Sequence, residues 1–217
     1  MPGAPSAMQL LSNLSGVMIN TDFILDYSRP QPPNFINVGG IQISKASPGP
    51  IPRDMLAFIQ GADQGVILFT MGFIFNAKAV PHSSIARLMS VFRRLPQRVI
   101  IKLDSEYWRD HAPANVLVVP WVPQQAVLAH NNTQLFITHC GMHGVLESIH
   151  YGVPMVGMPV FIDQGDVLIR MEEAGIGLGV SKTATGDQLY NAIVEVRDNP
   201  TYKQNIDKLS VVFKDKR

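Results

Sequence analysis

The sequence holds one cysteine, Cys140, in 217 residues. That excludes an internal disulfide framework and any site built from several thiolates. Charge is scarce too: Asp, Glu, Lys and Arg make up 16% of the chain, where globular domains average about 25%. Apolar residues reach 46%, so the chain is no disordered polyelectrolyte. There is no uninterrupted apolar run of about 18 residues, and Met1-Pro2-Gly3-Ala4-Pro5 has neither the basic start nor the apolar stretch of a secretory signal. A formal net charge of +1 supplies no basic field for a polyphosphate. Nucleic acid is thus no expected partner, and any phosphate must be held locally.

The length fits one large domain, or one and a half small ones. Eight of the 16 prolines fall within the first 52 residues, in runs such as Arg29-Pro30-Gln31-Pro32-Pro33 and Ser47-Pro48-Gly49-Pro50-Ile51-Pro52. Proline at that density prevents helix and removes ladder donors, so residues 28–53 read as an extended linker with a short strand at Phe35–Val38. Ahead of it, Gly16–Asn20 reads as a strand after a short helix, too little to bury two faces. The expected division is a partial segment and linker over 1–53 and an α/β domain over 54–217. The basic tail Phe213-Lys214-Asp215-Lys216-Arg217, with no closing element, reads as the end of a fragment.

From Gly65 onward, short apolar runs alternate with amphipathic stretches of helical length. This rhythm predicts a Rossmann-like α/β domain with a parallel sheet of about six strands. Strands are expected at 66–71, 98–103, 116–119, 135–138, 155–157 and 176–180, and helices at 83–94, 124–129, 142–151, 166–174, 188–197 and 202–213. Ligands of such sheets bind at the carboxyl ends of the strands, which directs attention to the loops after Met71, Val119, Thr138 and Gly157.

The most informative of these loops is Thr138-His139-Cys140-Gly141-Met142-His143-Gly144, between a buried strand and a helix. Free backbone donors at a helix start, with glycines permitting close approach, favour a phosphate there. His139 at the strand tip is placed to donate to the same anion. At about 1.5 Å of rise per residue, Glu147 lies roughly 6–8 Å further on, the reach from a pyrophosphate to a ribose. A carboxylate there can accept from two vicinal hydroxyls.

Taken by itself the loop reads equally well as structural, since α/β domains commonly place glycine where strand turns to helix. His139 and His143 form an H-x-x-x-H pair, but no adjacent glutamate or third ligand points to a metal. Gly175, Gly177 and Gly179 enter a strand rather than leave one, which excludes them as a phosphate cradle. Cys140 reads as a small packed residue, not a nucleophile.

Two further clusters follow. In Trp121-Val122-Pro123-Gln124-Gln125 an aromatic plane on a proline-bounded turn suits stacking on a base, although an isolated tryptophan is more readily a core residue. In Pro159-Val160-Phe161-Ile162-Asp163-Gln164 a carboxylate and an amide form a pair suited to sugar hydroxyls. Asp163 reads equally as the cap of the next helix.

The three clusters together resemble the donor-binding signature of the UDP-dependent glycosyltransferases of GT-B fold, almost without a gap from Trp121 to Gln164. The likeness extends more loosely from Asp26-Tyr27-Ser28-Arg29-Pro30 and Asn37-Val38-Gly39-Gly40-Ile41 through Gly65–Gly72 to Leu209-Ser210-Val211-Val212-Phe213. The flanks are similar to an animal, invertebrate member.

The resemblance implies that Trp121 stacks on uracil with Val122 beside it, that Gln124 contacts the nucleoside and that Glu147 holds the ribose. His139 and the backbone donors of Gly141, Met142, His143 and Gly144 would bind the diphosphate, and Asp163 and Gln164 would read the transferred sugar. Gly72 and Phe73 are phosphate-loop candidates. Three positions depart from the family pattern: Phe73 replaces a small hydroxyl residue, His143 replaces an asparagine, and Val167 replaces another.

The implied activity is inverting transfer of a hexosyl group, glucose or glucuronate, from a UDP-sugar to a small lipophilic acceptor hydroxyl, without a metal or other cofactor. The catalytic histidine and acceptor site would lie in an amino-terminal domain outside this chain, leaving no catalytic residue here. The resemblance also implies the lumenal side of the endoplasmic reticulum membrane, with a tail anchor outside this chain. The alternatives are a non-catalytic nucleotide-sugar-binding module with a degenerate site and a dinucleotide domain. The second is disfavoured because the first strand lacks G-x-G-x-x-G.

Overall fold

The structure, a computed structural model, describes residues 4–43, 47–72 and 80–215. Its centre is a six-stranded sheet, β3 (Val66–Thr70), β4 (Arg98–Lys102), β5 (Val116–Val119), β6 (Thr133–Thr138), β7 (Met155–Gly157) and β8 (Gly177–Gly179), in the order β5-β4-β3-β6-β7-β8. Every neighbouring pair is parallel. Two short strands ahead of it, β1 (Val17–Ile19) and β2 (Phe35–Asn37), form a separate parallel pair behind the helix α1 (Ala7–Ser12).

The sequence makes this sheet two-faced by simple alternation. Val66 and Leu68 of β3, Ile100 of β4 and Phe136 of β6 point to one core, where helices α2 (Arg53–Gln60), α5 (Gln124–Leu128), α6 (Met142–Tyr151), α7 (Ile162–Glu173) and α9 (Pro200–Asp215) pack. Ile67, Phe69, Val99, Ile101, Leu135 and Ile137 point to the other core, against α3 (His82–Arg93), α4 (Glu106–His111) and α8 (Gly186–Asp198). A strand buried on both faces has no polar position to spare, which is why β3 is apolar up to its terminal threonine.

Residues 20–43 lie against the first core. Leu25 and Ile43 are buried in it with Phe213 of α9. Asp26 pairs with Arg170 of α7, Tyr27 Oη donates to Glu173 at 3.1 Å, and the Arg170 guanidinium covers the Tyr27 ring.

Six strands and six helices fall where the hydrophobic rhythm predicts, but α2 and α4 were not anticipated. Each is short, and each is anchored by burial: Met55 and Ile59, spaced i,i+4, in α2, and Trp108 in α4, where Ser105 Oγ accepts from the Trp108 amide at 3.3 Å. The helix expected at 166–174 begins at Ile162. The Gln164 side chain folds back, its Oε1 accepting from the amides of Val160 at 2.8 Å and Phe161 at 3.0 Å. That capping outweighs the low helix propensity of Gly165. Asp163 therefore sits inside the first turn of α7 and does not cap a helix at 166.

Candidate functional site

The strand order reverses between β3 and β6, the topological switch point of the sheet, and loops leaving there in opposite directions open a crevice. A cleft of about 910 Å3 occupies it. The carboxyl ends of five strands supply its lining: Thr70 to Gly72 at the end of β3, Lys102 at the end of β4, Trp121 to Gln125 after β5, Thr138, His139 and Gly141 to Gly144 at the end of β6, and Phe161, Asp163 and Gln164 after β7. Every described site residue expected from the sequence lines this one cleft; Phe73 lies outside the described residues.

Glu147 is buried and accepts from two amides, Gln124 Nε2 at 2.7 Å and Gln125 Nε2 at 3.2 Å. Gln124 is oriented in turn by Thr70, whose hydroxyl donates to its Oε1 at 2.7 Å. Burial pushes the Glu147 carboxyl above its usual range, opposed by the two amide donors and by His143. The side chain is thus fixed in place with acceptor capacity left over, because a carboxylate has about four lone-pair sites.

Trp121 corrects the simpler expectation for an isolated tryptophan. It is 64% exposed at the cleft, whereas Trp108 is 7% exposed and packs in the core. Its neighbours along the chain are Pro120 and the buried Val122, with Pro123 next. An indole in water forgoes about 25 cal/mol for each Å2 of apolar area left uncovered, so its placement beside a cleft favours a flat partner.

His139 stands between two glycines. A Cβ on Gly72 would lie 2.6 Å from its Cε1, and one on Gly141 only 2.4 Å from its Nε2. Gly72, at φ +78°, also occupies a conformation that disfavours other side chains. The buried Nδ1 of His139 has no hydrogen-bond partner among the described residues. Burial lowers the proton affinity of the ring, with Lys102 acting in the same direction and Asp163 against it. The neutral ring carries one N–H beside the start of α6, whose first turn contains no acidic side chain. Lys102 itself donates to the Gly72 carbonyl at 3.1 Å.

The turn from β6 into α6 passes through Cys140 at φ +63°, the one described non-glycine residue in the left-handed region. Its thiol is buried, and burial pushes its pKa up to about 12, which removes it as a nucleophile.

Sequence reasoning missed Thr70, Lys102, Gln125 and Gln42, which also line the cleft. Gln125 adjoins Gln124 in the turn after Trp121, and Lys102 lies near the end of an expected strand, so both carried a signal. Gln42 reaches the cleft from the proline-rich region through tertiary packing alone.

Residues 4–217 match the family model described as "UDP-glucoronosyl and UDP-glucosyl transferase". The chain belongs to this family. Among curated relatives, it is 38% identical over 208 residues to "UDP-glycosyltransferase UGT4" of Dactylopius coccus, covering 96% of this chain and 40% of that protein. It is 35% identical over 218 residues to "2-hydroxyacylsphingosine 1-beta-galactosyltransferase" of Homo sapiens, covering 97% of this chain and 38% of the relative. The chain thus spans about two fifths of the length of the curated relatives it matches.

Among solved structures, the "glycotransferase of kitacinnamycin" superposes with TM-score 0.76 at 25% identity, over 99% of this chain and 54% of that one. A UDP-glucose: anthocyanidin 3-O-glucosyltransferase in complex with UDP superposes with TM-score 0.76 at 21% identity, over 93% of this chain and 49% of that one. That likeness shows the fold alone. The six-stranded domain of this UDP-glycosyltransferase family member is therefore the α/β sheet of GT-B glycosyltransferases.

Proposed function

We propose that the cleft binds a UDP-sugar and that the chain is the donor half of an inverting UDP-glycosyltransferase. The observation that carries this reading is the Glu147 carboxylate, fixed by two glutamines between an exposed indole and the free amides of α6. Uracil stacks on Trp121 beside Val122, the ribose hydroxyls donate to Glu147, and Gln124 holds both carboxylate and nucleoside in register. The diphosphate lies at the α6 amino terminus, where His139 and the amides of Gly141, Met142, His143 and Gly144 donate to it. Charge-assisted hydrogen bonds contribute about 1.5–3 kcal/mol each and a helix terminus about 0.3–2. Together they stabilise UDP as a leaving group. Asp163 reads the sugar hydroxyls; Gln164 joins it with its amide nitrogen, since its oxygen is taken by the α7 cap.

In the transfer step, a base removes the proton from an acceptor hydroxyl, the oxygen attacks the anomeric carbon, and the bond to UDP breaks with inversion. General-base help of this kind contributes about 10²–10⁴ in rate. We assign the base and the small lipophilic acceptor's site to an amino-terminal domain, with residues 1–53 as its final segment and linker and 54–217 as the donor domain. The chain alone then binds UDP without turning over a donor. We place the whole protein, on its resemblance to the family, at the endoplasmic reticulum membrane, facing the lumen, in detoxification.

Titration calorimetry of the folded chain with UDP is expected to give a Kd below 1 mM with about one site. Absence of binding at millimolar UDP rejects the reading.

The donor sugar is glucose or glucuronate. A uronate needs a cation, and Lys102 is the lysine among the described cleft residues. In competition against bound UDP, Lys102→Met that weakens UDP-glucuronate about tenfold and spares UDP-glucose marks a uronate donor. Equal competition before and after the change marks glucose.

A further inference from the structure

His143 is the second residue of α6, among the first-turn amides, and its ring lines the cleft. A neutral imidazole has one nitrogen that donates and one that accepts, so its use to an anion depends on which carries the proton. Nε2 lies 3.0 Å from Asn20 Nδ2, a residue 123 positions away in sequence.

The orientation of Asn20 follows from two groups that each have one possible role. The backbone N–H of Gly40 can only donate, and Asn20 Oδ1 accepts it at 2.8 Å. The backbone carbonyl of His143 can only accept, and Gln42 Nε2 donates to it at 3.3 Å. Gln42 consequently turns its Oε1 to Asn20 Nδ2, at 3.1 Å. Reversing the Asn20 amide sets two donors face to face at Gly40. Reversing Gln42 sets two acceptors face to face at the His143 carbonyl. The two hydrogens of Asn20 Nδ2 are thereby assigned, one to Gln42 and one to His143 Nε2. A ring nitrogen that accepts carries no proton, so the neutral ring is protonated on Nδ1.

Among the described residues Asn20 is the ring's one hydrogen-bond partner, which leaves Nδ1–H available to a ligand. The same device reaches Glu147. The Gln42 carbonyl accepts from Gln125 Nε2 at 3.1 Å, and that nitrogen also donates to Glu147 Oε1.

We propose that Asn20 is a positioning residue that locks His143 as the Nδ1–H tautomer, so that the imidazole offers this hydrogen to the diphosphate. The role at the diphosphate rests on the donor-cleft reading above; the lock itself does not. A histidine replacing a shorter amide at this turn can take either tautomer, and only one presents a donor with Nε2 occupied. The segment ahead of the sheet domain thus sets the chemistry of a residue inside the cleft.

Long-range 1H–15N spectra of the imidazole side chains in the folded chain test the lock directly. The His143 signals, assigned by their loss in His143→Ala, are expected to show a single Nδ1–H tautomer at pH 8. Asn20→Ala redistributes the proton over both nitrogens. Asn20→Asp, whose side chain can only accept, moves it to Nε2. Parallel calorimetry with UDP is expected to show a three- to tenfold loss for Asn20→Ala, at an unchanged melting temperature, and no further loss when Asn20→Ala is added to His143→Ala.

An Nε2–H signal in the parent chain, or an unchanged tautomer in Asn20→Ala and Asn20→Asp, overturns the lock. Equal affinity losses with and without His143 overturn its role in binding, since Asn20 then acts on the fold. If the parent chain does not bind UDP, the donor-cleft reading fails and the role falls with it, while the nitrogen shifts still decide the lock.

Discussion

Glu147→Gln is expected to lower UDP affinity about a hundredfold while leaving the fold intact. Two ribose hydroxyls lose a charged acceptor. Weakening two charge-assisted hydrogen bonds by about 1.4 kcal/mol each gives two factors of ten. The protein tolerates the exchange because the neutral amide has the carboxylate's shape. Gln124 can turn to meet it, since its other partner, the Thr70 hydroxyl, both donates and accepts.

The pH dependence has a definite sign. Burial holds the Glu147 carboxyl above its ordinary value of 4.5, so the folded state binds more protons than the unfolded state between 4.5 and the raised folded value. Its contribution to stability is complete below 4.5 and is lost as pH rises through the folded pKa. Glu147→Gln removes that loss, so thermal melts near neutral pH should show a variant at least as stable as the parent chain. Unchanged UDP affinity in a folded Glu147→Gln protein removes Glu147 from the site. A melting temperature that still falls from acid to neutral pH with the parent's slope assigns that slope to other groups.

Phe136→Ala is expected to have the largest effect on stability, a loss of about 3–5 kcal/mol. Phe136 lies on β6, between β3 and β7 in the sheet, is fully buried, and also forms part of the cleft lining. With about 2–4 °C per kcal/mol for a chain of this size, the melting temperature should fall by about 6–20 °C. Ile169→Ala, at a residue 50% exposed on α7, serves as the contrast and should stay within about 0.5 kcal/mol of the parent. Equal melting points for the two variants contradict the assignment of the core.

The sheet was legible because each strand is short, apolar and set off by a stretch of helical length. β5 and β7 fall on their expected bounds, and the other four strands shift by one or two residues at their ends. The helices that escaped notice, α2 and α4, span 8 and 6 residues, too few to establish a helical period against their surroundings. The start of α7 was misplaced because its cap is a long amide reaching backwards, a contact that a local reading assigns to the preceding loop.

In the cleft, Trp121, His139 and the glycines at the start of α6 could be found because they lie close to strand ends, where the geometry of parallel sheets directs ligands, and Glu147 because helical rise sets its distance from that turn. Their hydrogen-bond partners were less accessible. Gln124 was expected to touch a nucleoside, and its amide nitrogen in this structure holds Glu147; nothing local fixes that choice.

The order of apolar runs and glycine-bearing turns was enough to determine an α/β domain with its ligand loops at one edge of the sheet, since burying a strand on both faces requires continuous apolar residues and parallel strands require crossovers. Tertiary structure alone decided that an asparagine near the amino terminus fixes a histidine 123 residues later, and that Gln42 reaches the cleft. Hydrogen bonds between distant side chains depend on where packing brings the backbone to within about 3 Å, and residue order carries no local signature of that approach.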